Sequence, residues 1–125
     1  MNPLTGMVAG VCEDLEPHAG EFDMIVAAGD FHGMALGAVI ASVFDKPLML
    51  VCRDPRNTQS LIVPIGDCDF HTMRALYVDD AFTYGNSLKS VFDYLDSSGT
   101  PAPVVATYEV LTREYKETGR VVRNP

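Results

Sequence analysis

The stretch Ala75-Leu76-Tyr77-Val78-Asp79-Asp80-Ala81-Phe82-Thr83-Tyr84-Gly85-Asn86-Ser87-Leu88 decides the fold. Four apolar residues run into two adjacent carboxylates, and a small-polar turn follows. Leu88, Val91, Phe92 and Leu95 then share one helical face, with Gly99 as the C-terminal stop. Strand, turn and helix in that order leave the first helical N–H groups without helical partners at the positive end of the dipole, so an anion lodged there satisfies both. The paired acids suit vicinal hydroxyls or a divalent cation.

The same pattern recurs upstream. Met24 to Ala28 is a short apolar run closed by Gly29, and Met34 to Phe44 is apolar, alanine-rich and of helical length. Lys46-Pro47 ends that helix. Leu48 to Cys52 reads as a second buried strand, Leu61 to Ile65 as a third, Arg74 to Val78 as a fourth and Val104 to Leu111 as the last. Leu4, Met7, Val8, Val11, Cys12 and Leu15 fall at helical spacing, which predicts an N-terminal amphipathic helix ending near Glu16-Pro17. Apolar strands separated by helices imply an α/β fold: a mostly parallel sheet of about five strands covered on both faces, with ligands at the carboxyl ends of the strands. Both loops of interest, 29–33 and 79–87, lie at such ends.

At 125 residues the chain suits one domain. The reading divides it into an N-terminal helix over 1–21, a core over 22–111 and a C-terminal hood or tail over 112–125. A formal net charge of −8, without any basic run, sets it against long nucleic acid. No run approaches the roughly 20 apolar residues of a membrane helix, and the first residues lack a signal-peptide pattern, so a cytoplasmic protein with no membrane partner is expected. Cys12, Cys52 and Cys68 are odd in number and show no C-x-x-C spacing, which points to reduced, structural thiols. Asp67, Asp69 and His71 read as a polar turn, and Tyr108 and Tyr115 as packing residues on a terminal strand, with base stacking the alternative.

Taken together these segments resemble the type I phosphoribosyltransferases, nearest in motif to the orotate-type and related members. Val78-Asp79-Asp80-Ala81-Phe82-Thr83-Tyr84-Gly85-Asn86-Ser87 is similar to their phosphoribosyl-pyrophosphate motif. Ile25 to Leu36 is similar to their strand, pyrophosphate loop and helix start. With Lys46-Pro47-Leu48 and a strand ending in Arg53, the resemblance covers roughly residues 22 to 111 in order. It implies a phosphoribosyltransferase with a reduced hood, which moves ribose 5-phosphate from phosphoribosyl pyrophosphate to a nucleobase nitrogen and releases pyrophosphate. The alternative is a non-catalytic regulatory module that binds phosphoribosyl pyrophosphate or a nucleotide on the same fold.

The resemblance also assigns roles. Asp79 and Asp80 would grip the ribose hydroxyls and stabilise the cationic, oxocarbenium-like transition state, with Arg53 as the third catalytic residue. Ala81, Phe82, Thr83, Tyr84, Gly85, Asn86 and Ser87 would hold the 5′-phosphate. Asp30, Phe31, His32, Gly33 and Arg56 would take the pyrophosphate, with a non-proline cis peptide expected at Asp30-Phe31. Mg²⁺ would bridge substrate oxygens, no direct protein ligand being assigned beyond Asp79 or Asp80 as groups able to reach it. A homodimer is the implied assembly.

Three departures stand out. Tyr84 replaces the usual Thr, Ser or Ala, and His32 stands where orotate-type enzymes carry a lysine. Residues 53–60, where those enzymes have a lysine-containing flexible loop, hold Arg53 and Arg56 but no lysine. A general acid from that loop is therefore missing.

Overall fold

The computed structural model of the protein describes residues 3–28, 31–53, 60–67, 73–79 and 104–118. Helix α1 (Pro3–Leu15) continues into a 3-10 turn (Glu16–Glu21) and leads to strand β1 (Met24–Ala28). Helix α2 (Phe31–Val43) follows, then β2 (Leu48–Arg53), β3 (Ser60–Ile65), β4 (Ala75–Asp79), β5 (Val104–Glu109) and β6 (Glu114–Glu117). All lie in one mixed sheet of order β3-β2-β1-β4-β5-β6. β2, β1, β4 and β5 run parallel, whereas β3 and β6 pair antiparallel at the two edges.

The six strands among the described residues agree with the expected mostly parallel sheet of about five strands. Two finer expectations need correction. Residues 114–117, read as hood or tail, pair with β5 through Ala106↔Glu117, Thr107↔Lys116, Tyr108↔Tyr115 and Glu109↔Glu114. Glu-Tyr-Lys-Glu carries no apolar alternation because an edge strand needs little burial, and its charges protect the edge. In addition, α2 starts at Phe31 rather than Met34, so Phe31, His32 and Gly33 form its first turn instead of a loop. The expected helix over 87–95 lies outside the described residues.

Alternation along the strands divides the core. Ile25, Ala27, Leu48, Leu76, Val78, Ala106 and Tyr108 cluster with Val11, Leu15, Ile40 and Ala41, so α1 and α2 both cover this face. Met24, Val26, Ala75, Tyr77 and Asp79 point to the opposite face and are also buried. Burial on both faces explains the continuous apolar character of β1 and β4.

α2 presses unusually close to β1. A Cβ placed on Gly37 would overlap the Cβ of Ala27, so glycine is what lets the helix axis approach the sheet. The helix ends in a Schellman arrangement: Lys46 N–H donates to Ala41 O at 2.9 Å and Asp45 N–H to Ser42 O at 3.3 Å, with Asp45 left-handed at φ 52°.

Two polar clasps close the domain. At the amino edge, Arg74 holds Asp23 through Nε–Oδ2 (3.1 Å) and Nη2–Oδ1 (3.2 Å), and its backbone N–H adds a 2.8 Å bond to Oδ2. Lys46 Nζ donates to the carbonyls of Ala19 and Phe22 and lies 4.5 Å from the Phe22 ring centroid. Near the β5–β6 turn, Asp14 of α1 accepts from Arg113 Nε (2.8 Å), Arg113 Nη2 (2.7 Å) and the Tyr108 hydroxyl (2.6 Å). The N-terminal helix is thereby tied to the β5–β6 hairpin.

Candidate functional site

The parallel strands bring the carboxyl ends of β1, β2, β4 and β5 to one edge: Ala28, Arg53, Asp79 and Glu109. From β1 the chain proceeds to β2 on one side, whereas β4 is followed by β5 on the other. The gap between the ends of β1 and β4 is therefore the topological switch point, where open α/β sheets bind ligands. The two motifs singled out in the sequence leave the sheet at these two neighbouring ends. Strand spacing sets their starting points roughly 5 Å apart.

Asp79 is the best-defined acid of the site. It closes β4 with only 4% of its surface exposed, and its carboxylate Oδ2 accepts a 3.0 Å hydrogen bond from the hydroxyl of Tyr77, which is wholly buried. Its own carbonyl accepts from Val110 N–H at 3.0 Å, which anchors the strand end to the start of the β5–β6 turn. A buried carboxylate needs such donors to offset lost hydration.

Phe31, His32 and Gly33 occupy the first turn of α2, where backbone N–H groups lack helical acceptors and the dipole favours an anion. Arg53 ends β2 at the same edge, opposite Ser60 of β3. Asp30, Arg56, Asp80 and residues 81–87 lie outside the described residues, as does the expected cis peptide at Asp30-Phe31. The structure thus gathers Asp79, the start of α2 and the end of β2 along one edge.

Sequence reasoning missed Tyr77 as a site residue, although its place two residues before Asp79 on the same strand face was a readable signal. From the sequence, Tyr108 and Tyr115 are expected to be packing residues, with base stacking the alternative. Tyr108 is buried with its hydroxyl committed to Asp14, and desolvation pushes its ionisation far up. Tyr115 stacks on His18 at 3.8 Å between centroids, donates to Glu21 Oε2 at 2.9 Å and is likewise pushed up by burial. Both rings are occupied within the chain.

Burial raises the Cys12 thiol above its ordinary value, with the Glu16 charge adding to the effect, so this cysteine is a poor nucleophile. Asp67, at the start of the expected polar turn, is exposed. Among the described residues no group of three or more His, Cys, Asp or Glu side chains could hold a metal ion.

No family model matches the chain. The large-conductance mechanosensitive channel of Bacillus cereus is 26% identical over 97 residues, which are 78% of this chain and 73% of the channel. That identity establishes no family, and among the described residues no helix is long and apolar enough to cross a membrane. Solved structures give a different likeness. The orotate phosphoribosyltransferase of Francisella tularensis superposes with a TM-score of 0.64 at 16% identity, over 85% of this chain and 50% of that one. The purine phosphoribosyltransferase of Pyrococcus horikoshii gives 0.61 at 19% identity, over 84% of this chain and 69% of that one. The chain spans half the length of the orotate enzyme that it matches. In element order and sheet architecture, the protein has the fold of the phosphoribosyltransferases.

Proposed function

We propose that the protein is a phosphoribosyltransferase that moves ribose 5-phosphate from phosphoribosyl pyrophosphate to a nucleobase nitrogen. One observation carries the reading: two sequence motifs of that family emerge side by side at the switch point of a sheet with that family's fold. In the reaction the bond from the anomeric carbon to the pyrophosphate oxygen breaks, the electron pair leaves with pyrophosphate, a carbon–nitrogen bond forms, and the N–H proton of the base passes to the departing pyrophosphate or to water. Positive charge develops on the ribose, and the carboxylates of Asp79 and Asp80 stabilise it while accepting hydrogen bonds from the ribose hydroxyls.

In this reading residues 81–87 hold the 5′-phosphate. Residues 30–33 receive the pyrophosphate through backbone N–H groups, and Arg53 and Arg56 contribute charge to the same group. The chemistry of a hard carboxylate oxygen at this edge fits a magnesium ion carried chiefly by the substrate, since Asp79 is a suitable oxygen donor. Mg²⁺ supplies charge neutralisation on the pyrophosphate when bound.

The test is pyrophosphate release by purified protein with phosphoribosyl pyrophosphate, Mg²⁺ and a panel of nucleobases. Release with one base, abolished by Asp79→Asn with Asp80→Asn, supports the reading. No release across the panel from folded protein refutes it as an enzyme. A second reading, a binding or regulatory module on the same fold, is favoured by the lysine-free segment 53–60. Calorimetry separates the two, because the module binds phosphoribosyl pyrophosphate or a nucleotide without turnover.

A further inference from the structure

Tyr77 and Asp79 share the β4 face turned away from α1 and α2, two positions apart, and the tyrosine side chain runs along the strand toward its carboxyl end. A carboxylate at a strand end is ordinarily solvated and free to rotate about χ1. Here it is enclosed at 4% exposure, and one of its oxygens is held at 3.0 Å by a hydroxyl whose ring has no exposed surface. The ring is locked by packing, so the hydroxyl is a fixed donor rather than one that follows the carboxylate. Fixing an acid by a neighbour's locked side chain is how binding sites hold a group ready before the ligand arrives.

We propose that Tyr77 is the positioning residue of the ribose-binding acid: its hydroxyl, bound to Oδ2, sets the side-chain rotamer of Asp79 in which the carboxylate meets the ribose hydroxyls. This rests on the phosphoribosyl reading for the identity of the ligand, but not for the orientation itself. The device belongs to the tyrosine at this position, since phenylalanine would fill the same space and leave the carboxylate without this donor.

The experiment compares Tyr77→Phe with Tyr108→Phe. The second variant also deletes a buried tyrosine hydroxyl bonded to an aspartate, but on the other face of the sheet, so it reproduces the structural loss alone. Three-bond couplings by NMR report the Asp79 χ1 population without ligand, and calorimetry with phosphoribosyl pyrophosphate and Mg²⁺ reports binding. The expected result is a single Asp79 rotamer in the wild type and averaging in Tyr77→Phe. Affinity then falls about tenfold, as for loss of one hydrogen bond to a charged group, whereas Tyr108→Phe binds as the wild type does. An unchanged Asp79 rotamer in Tyr77→Phe overturns the proposal whatever the affinities. Averaging without loss of affinity, or an equal loss in both variants, overturns it as well. A wild type that binds no phosphoribosyl pyrophosphate overturns the choice of ligand, while the couplings still decide the orientation.

Discussion

Replacing Gly37 by alanine pits local preference against tertiary contact, and the two predict opposite signs. Within α2 the change ought to stabilise, since alanine is favoured over glycine in a helix interior by about 1 kcal/mol. The added methyl, however, would overlap the Ala27 Cβ and come within 3.6 Å of Leu48 Cδ1. Ala27 has no rotamer through which to yield, so α2 must move off β1 or the strand must bend. Overpacking of this kind costs about 1–3 kcal/mol. With propensity subtracted, the expected net loss is up to about 2 kcal/mol, or up to roughly 8 °C in Tm for a domain of this size.

Urea unfolding followed by circular dichroism measures the change, with the m-value expected to stay constant. A double-mutant cycle with Ala27→Gly isolates the contact, and a coupling of at least about 1 kcal/mol in the compensating direction is expected. Because α2 opens at the edge of the candidate site, the proposed function predicts that the single variant binds phosphoribosyl pyrophosphate more weakly than the wild type. A Gly37→Ala protein stabilised by the propensity increment, with no coupling to position 27, would refute the close approach of helix and sheet.

Asp45 sits left-handed at the C-terminus of α2, and Asp45→Gly is expected to raise stability by about 0.5–1 kcal/mol in the same unfolding assay by relieving that conformation. Lys46→Met leaves the Ala19 and Phe22 carbonyls without their donor, so a loss of about 1–2 kcal/mol is expected in chemical denaturation. Asp14 and Asp23 have carboxyls held below their ordinary value, chiefly by hydrogen bonds from Arg113 and Arg74 respectively. Between the folded and unfolded values the unfolded chain binds more protons, so the stability they contribute is complete above the ordinary value of 3.8 and is lost as pH falls below it. Urea midpoints measured from pH 5 to pH 2.5 should show that decline, and Asp14→Asn should flatten part of it.

Much of the architecture was readable locally. β1, β2, β3 and β4 fall within about a residue of the expected ranges because apolar runs bounded by Gly, Pro and charge mark strands directly. The start of α2 was read three residues late: Phe-His-Gly carries no helical periodicity, and a helix's first turn owes its geometry to where the preceding strand delivers the chain. β6 was not readable either, since four polar residues become a strand only when β5 offers its edge. At the site, the adjacent acids announced Asp79, whereas its partner looked like one more apolar residue of the strand.

The sequence by itself determined the succession of strands and helices, the two motifs at strand ends and the chemistry those residue types can perform, because periodicity, turn residues and acid spacing are properties of a few neighbouring positions. Only the tertiary structure decided that β4 lies beside β1 so that the two motifs adjoin, that Asp14 meets Arg113 from 99 positions away, and that a buried tyrosine holds the first acid. Such pairings depend on which distant surfaces complement one another once loop closure has brought them together, and no local pattern carries that information.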